Sequence, residues 1–274
     1  RDAMQGWKTF IPTEKKIRYI NGLLKAGFDT IDFGSFVSPK AIPQMADTKE
    51  VLNHLDYKNS PSKLLAIIAN VRGAEEAVPY TAITYLGFPF SISETFQLRN
   101  TNKTITQSLE TVRQIQQLCV QYQKELVIYI SMGFGNPYHD PYNKDIVMDW
   151  VKRLSDLGIR TISLADTVGV GNPETISWLF SHVIPAFPEI AFGAHFHSAP
   201  QHWEEKIAAA YDQGCRRFDS AINGIGGCPM AEDELVGNIA TENLLYFFKK
   251  RKIPLSIDMT AFRHAQTIAS EVFI

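Results

Sequence analysis

The sequence predicts an α/β fold, a (β/α)8 TIM barrel whose first strand lies outside the given chain. Three observations predict it. Short β-branched runs alternate with helical patterns, the runs are apolar throughout, and three helices end in the same way. Residues 30–33, 64–69, 82–86, 126–130, 161–164, 190–194 and 217–220 read as seven buried strands. Helical patterns at 14–26, 104–122, 144–157, 173–184 and 202–212 fall between several of them. Within 144–157, Ile146, Val147, Trp150, Val151 and Leu154 share one face. The repeated ending is Lys25-Ala26-Gly27-Phe28, Asp156-Leu157-Gly158-Ile159 and Asp212-Gln213-Gly214-Cys215. A glycine just past a helix can take the left-handed conformation that turns the chain back toward the sheet. Seven strands are one short of the barrel's eight, and the chain opens at Arg1 in a loop-like stretch, so strand one is the expected absentee. A six- or seven-stranded doubly wound sheet is the alternative. That fold usually carries a glycine-rich phosphate loop after its first strand, and none follows residues 30–33.

Composition narrows the function. The 274 residues include 27 basic and 29 acidic side chains and are 45% hydrophobic, which suits one catalytic domain over 1–274 with a sizeable core. A net charge of −2 argues against nucleic acid or an anionic membrane as the partner. No apolar run approaches the roughly 18 residues needed to span a bilayer, and no signal-peptide pattern opens the chain. Three cysteines (Cys119, Cys215 and Cys228) without CxxC spacing argue against a disulfide framework or a cysteine zinc site. They predict a soluble protein of a reducing, cytoplasmic compartment.

In a barrel, chemistry gathers at strand C-termini and the loops beyond them. His195-Phe196-His197 ends the run 190–194, and residues i and i+2 of a strand face the same way. Two imidazoles there suit a metal or an acid/base pair. The stretch Asn223-Gly224-Ile225-Gly226-Gly227-Cys228-Pro229-Met230 follows the seventh run and presents one loop cysteine, a candidate acid or base. Cys119 and Cys215 read instead as buried and inert. In Gly237-Asn238-Ile239-Ala240-Thr241-Glu242, Asn238 reads as the N-cap of a helix running to about Lys250, or as an oxygen ligand for a hard cation. Arg1-Asp2-Ala3-Met4-Gln5 is an exposed chain start, or faces the site if a strand precedes it. Asp32 and Asp166 are acids at strand ends; Asp166 reads equally as a turn initiator.

These residues occur in one order with Ser35-Phe36-Val37-Ser38-Pro39-Lys40, Pro43-Gln44-Met45, Asp166-Thr167-Val168-Gly169-Val170-Gly171 and Gly226-Gly227-Cys228-Pro229. In that order the chain resembles the 3-hydroxy-3-methylglutaryl-CoA lyases, metal-dependent TIM barrels of the pyruvate-carboxyltransferase-like superfamily. The resemblance covers nearly the whole chain. It implies Mg²⁺ or Mn²⁺ held by Asp2, His195, His197 and Asn238, with two octahedral positions left for a chelating substrate. It implies cleavage of the acyl-CoA substrate to acetyl-CoA and acetoacetate. Arg1 would hold the enolate charge, Cys228 would protonate the enolate carbon, and His195 would take the hydroxyl proton. Gln5, Asp32, Ser35, Asp166 and Glu242 would orient Arg1, the ligands or the substrate, and the protein would be a homodimer.

Three features depart from the family pattern. Asp32 stands where the lyases have Glu, Ser198-Ala199-Pro200 stands where they read Asp-Thr, and residues 230–235 replace a run of small residues. These changes at the rim leave room for a related lyase, aldolase or synthase acting on another 3-hydroxyacyl-CoA or a 2-oxo acid. The remaining alternative is a non-catalytic barrel, against which the retention of Arg1, Cys228 and the ligands argues.

Overall fold

The computed structural model describes residues 1–227 and 236–274. Seven parallel strands follow one another in chain order: β1 (Thr30–Phe36), β2 (Lys63–Ile68), β3 (Ile83–Ser91), β4 (Glu125–Ser131), β5 (Thr161–Asp166), β6 (Ala191–Ser198) and β7 (Arg217–Phe218). Strand β8 (Gly237–Asn238) runs antiparallel to the end of β6. Strictly sequential order with a helical crossover at each step is barrel topology, not a doubly wound sheet, whose order reverses. Among the described residues no pairing joins β1 to β7. The sheet is therefore open at the place where an eighth strand closes a (β/α)8 barrel.

Strand β2 is apolar on both sides for a geometric reason. Leu64, Ala66 and Ile68 of β2 join the main core beneath the helices, while Leu65 and Ile67 pack with Tyr85 and Val127 in a second cluster. Successive side chains alternate between the two faces, so a strand covered on both sides reads as a continuous apolar run. The strands extend past those runs at their C-terminal ends. β1 reaches Phe36, β3 reaches Ser91 and β6 reaches Ser198. Polar residues enter there because that rim carries the site.

The helices begin where local chemistry allows. Asn143, Asn172 and Ser93 each accept a hydrogen bond from a backbone N–H of the first turn, and Thr104 with Gln107 forms a reciprocal capping box. Such caps contribute about 1 kcal/mol each. Gly27, Gly158 and Gly214 all have positive φ, at +77°, +84° and +99°, as the repeated helix ending requires. The helix Thr13–Ala26 lies against the last helix, Met259–Val272. A Cβ at Gly22 would sit 3.2 Å from Ile268 and 3.5 Å from Ala265, so small residues set that contact.

Two expectations about local structure are corrected. Residues 2–5 form a turn of helix (Asp2–Gln5) rather than a loop, because Ala3 and Met4 are buried beneath it. Asn238 is not a helix cap. The helix starts at Thr241 with Ala240 at its cap, and Asn238 lies in β8 opposite His197. No helix of the structure, among the described residues, is long and apolar enough to cross a membrane.

Candidate active site

The site is built on the interior face of the curled sheet. In β6, Ala194 and Phe196 belong to the main core, so His195 and His197 point inward. In β1, Ile31 and Phe33 face the helices and Asp32 faces the interior. Their C-terminal ends meet the turn at Arg1–Gln5. The backbone nitrogen of Arg1 donates to the Asp32 carbonyl at 2.5 Å, which docks Arg1 along the open edge of β1.

Asp2, His195 and His197 converge there, with ligand atoms all within 4.8 Å of one another. The two imidazole centroids are 5.2 Å apart. Asp2 Oδ1 accepts from Gln5 Nε2 at 2.7 Å and Arg1 Nη1 at 3.2 Å, and Oδ2 accepts from Asn238 Nδ2 at 2.7 Å. Burial opposes the charge of Asp2, but Arg1, His195 and the Asn238 hydrogen bond hold its pKa below the ordinary value. The Asn238 amide also donates to the Ile225 carbonyl at 3.0 Å, so its nitrogen is engaged and its oxygen is the atom left for a cation. Asp2, His195 and His197 are thus brought together, and Asn238 is joined to Asp2 through its amide nitrogen.

Each imidazole is oriented through Nδ1. His195 Nδ1 lies 3.0 Å from Asp219 Oδ2. Burial disfavours the His195 cation, yet the hydrogen bond and charge of Asp219, with Asp2, raise its pKa above the usual value. His197 Nδ1 lies 2.9 Å from the Thr167 carbonyl, so that nitrogen carries the proton and Nε2 keeps the lone pair. Burial and the neighbouring His195 lower the pKa of His197. Its Nε2 is buried and has no partner among the described residues. A neutral imidazole with an uncommitted inward nitrogen suits a metal ligand.

Arg1 is held by Asp32 through Nε at 3.1 Å, so the shorter acid reaches it. Burial works against its cation, but Asp32 and Asp2 outweigh it and keep the guanidinium charged. Two further orphans line the same end of the sheet. Asp32 Oδ1 and Ser35 Oγ are buried without partners among the described residues. Ser35 also lines a cavity of about 390 Å³ with Phe36, Met45, Thr48 and Asn70. Leaving a buried polar atom unmade costs about 1–3 kcal/mol, so such atoms gathered at one rim point to a ligand that completes them.

Other expected residues act at a distance. Asp166 does not touch the ligands; it accepts from Lys206 Nζ at 2.6 Å and from the Gly171 N–H at 3.1 Å. Glu242 touches neither Arg1 nor a ligand. It accepts from the Asn223 N–H at 3.0 Å and Gln266 Nε2 at 2.9 Å, pinning the turn that leads to Ile225. Cys228 lies outside the described residues. Cys119 and Cys215 are buried as expected, and burial pushes both thiols up to about 12.

Four residues escape the sequence reading: Asp219, Lys206, Tyr129 and Arg217. Asp219 is signalled by the rule that found Asp166, an acid at a strand end. Lys206 is signalled by a charge on the apolar face of the helix Trp203–Asp212, beside Ile207 and Ala210. Tyr129 stands edge-on to His195 at 5.5 Å. Arg217 is a long cation inside the curl, near Tyr85.

A model of the family described as HMGL-like matches residues 1–268. A 3-hydroxy-3-isohexenylglutaryl-CoA/hydroxy-methylglutaryl-CoA lyase of Pseudomonas aeruginosa is 35% identical over 95% of this chain and 86% of its own length. A mitochondrial hydroxymethylglutaryl-CoA lyase of Arabidopsis thaliana is 32% identical over 94% of this chain, which spans 55% of that relative. The solved structure of an HMG-CoA lyase from Acinetobacter baumannii, in complex with coenzyme A and 3-methylmalate, superposes with a TM-score of 0.91 at 34% identity. It covers 100% of this chain and 88% of that one. With the cluster of Asp2, His195 and His197, the guanidinium beside it and this extent of similarity, the chain belongs to the HMGL-like family.

Proposed function

We propose that the protein is a divalent-metal-dependent carbon–carbon lyase that cleaves 3-hydroxy-3-methylglutaryl-CoA to acetyl-CoA and acetoacetate. The observation that carries this reading is the convergence of Asp2, His195 and His197 within 4.8 Å at the rim of the sheet, with the Arg1 guanidinium bonded to Asp2. Asp2, His195, His197 and Asn238 would hold Mg²⁺ or Mn²⁺, which supplies Lewis acidity that lowers the pKa of a tertiary hydroxyl. Two nitrogens and two oxygens with no thiolate suit either ion.

The chain's own groups do the rest. The C3 hydroxyl loses its proton, its oxygen electrons form the new ketone, and the C2–C3 bond breaks toward the thioester. The electron pair becomes an enolate whose charge falls on the thioester oxygen. Arg1 meets that charge with a guanidinium fixed by Asp32 and Asp2, so little reorganisation is needed. The thiol of Cys228 donates the proton to C2, a role taken from the family resemblance. His195 Nδ1 is engaged by Asp219, so its Nε2 either ligates a cation or accepts the hydroxyl proton, not both at once. Ser35 Oγ, buried and without a partner among the described residues, would bond a substrate oxygen.

The test is acetoacetate release from 3-hydroxy-3-methylglutaryl-CoA by chelator-stripped protein, with and without added Mg²⁺ or Mn²⁺. Metal-dependent release is expected. A folded protein that binds Mn²⁺ but releases no acetoacetate refutes the substrate assignment, and a panel with bulkier 3-substituents then identifies the acyl group.

A further inference from the structure

Lys206 is almost fully buried, 3% exposed, on a helix that faces the sheet. A lysine in such a place must find acceptors for its three N–H bonds. It finds three, and each belongs to a different part of one device. Nζ donates to Asp166 Oδ2 at 2.6 Å, to the Gly169 carbonyl at 2.9 Å and to the His197 carbonyl at 3.1 Å. Asp166 closes the loop from the other side by accepting the Gly171 N–H. The segment thus pinned at 166, 169 and 171 contains Thr167. The Thr167 carbonyl takes the Nδ1 proton of His197, and its hydroxyl accepts the Met132 N–H at 2.9 Å.

We infer that Lys206 is a positioning residue for the His197 metal ligand, acting on it by two routes that meet at one side chain. One route is direct, through the His197 backbone carbonyl, where β6 pairs with β8 and so with Asn238. The other runs through the clamped loop to the Thr167 carbonyl, which selects the Nδ1–H tautomer and aims Nε2 at Asp2 and His195. Partners of this kind fix ring orientation and ligand basicity. The inference rests on the proposed metal site for its affinity readout, but its tautomer readout does not require metal or substrate.

The variants are Lys206→Met and the double variant Lys206→Met/Asp166→Asn. The second removes both buried charges together, so that it folds where the single change leaves an unpaired carboxylate. In metal-free protein labelled with ¹⁵N-histidine, long-range ¹H–¹⁵N spectra of the parent should show His197 as a single neutral Nδ1–H tautomer. The double variant should show mixed tautomers at His197 with unchanged far-UV circular dichroism. Its Mn²⁺ affinity, from the electron paramagnetic resonance signal of free Mn²⁺, should fall by about 10- to 100-fold. A folded double variant that keeps the Nδ1–H tautomer, with Mn²⁺ affinity within about twofold of the parent, overturns the inference. A parent that binds no Mn²⁺ refutes the proposed metal site instead, and the tautomer spectra still decide the role of Lys206.

Discussion

Asp219→Asn separates the two things a carboxylate does for a ligating histidine. Asp219 Oδ2 lies 3.0 Å from His195 Nδ1 and the carboxylate is 28% exposed. A unit charge pair at about 4 Å and an effective dielectric of about 20 interacts by about 4 kcal/mol, an upper bound for a group this open to water. Loss of an outer partner of a metal-bound imidazole typically weakens binding about 10- to 100-fold, or about 1.4–2.7 kcal/mol, and the smaller figure suits a carboxylate this open to water. The same carboxylate raises the pKa of His195. Below that raised pKa, an incoming cation must displace a proton, and affinity falls by up to about tenfold per pH unit. The variant begins to protonate only at lower pH. The parent-to-variant ratio of Mn²⁺ affinity is therefore widest in base and narrows in acid. Mn²⁺ titrations of stripped protein between about pH 6 and about pH 8.5 measure it. A ratio below about threefold in base, or one that widens toward acid, refutes the assignment of Asp219 as the partner of a metal ligand.

Three other substitutions probe separate parts of the site. His197→Ala should abolish stoichiometric Mn²⁺ retention through equilibrium dialysis, because it removes a donor whose Nε2 has no other use among the described residues; retained metal contradicts the ligand set. Cys228→Ser should lower kcat by about 10²- to 10⁴-fold with Mn²⁺ binding and Tm kept, since a hydroxyl is a poor acid at neutral pH; unchanged turnover removes Cys228 from the mechanism. Gly226→Ala should lower stability by about 1–3 kcal/mol and weaken Mn²⁺ binding together, because φ is +98° and the added Cβ would lie 2.7 Å from Asn238 Nδ2 and 2.9 Å from the Asp2 carbonyl. Thermal melts and Mn²⁺ titration read both, and an unchanged Tm would show that the contact relaxes at no cost.

The barrel topology was legible because its strands are covered on both faces and so appear as unbroken apolar runs, 64–69 being the clearest. The helices that were missed are of two kinds. Thr48–Asn53 and Val71–Ala77 are too short to show a 3.6-residue period. Met259–Val272 has the period, but follows the last strand, where a repeat-based reading has nothing to attach it to. In the site, donors were legible where strand geometry alone aims them, as at His195 and His197. Of the two readings of Asn238, the cap was the one favoured locally, because Asn before a helix suits that role, whereas its pairing with His197 is a contact between residues 41 apart in sequence that no local rule contains. Lys206 and Asp219 were passed over for the same reason: their meaning lies in partners on neighbouring strands.

The candidate ligands are far apart in sequence. Asp2 and Asn238 are hydrogen-bonded across a separation of 236 residues, with His195 and His197 between them in sequence. During synthesis Asp2 precedes Asn238 by 236 residues. A partly made chain offers a cation one carboxylate, then two imidazoles, but never the completed set. Capture of a cation by the proposed set would thereby wait until translation has passed residue 238 and β8 has paired with β6. The choice of ion would then fall to a folded cage rather than to a nascent peptide, whose loose histidines would favour the tighter-binding late transition metals.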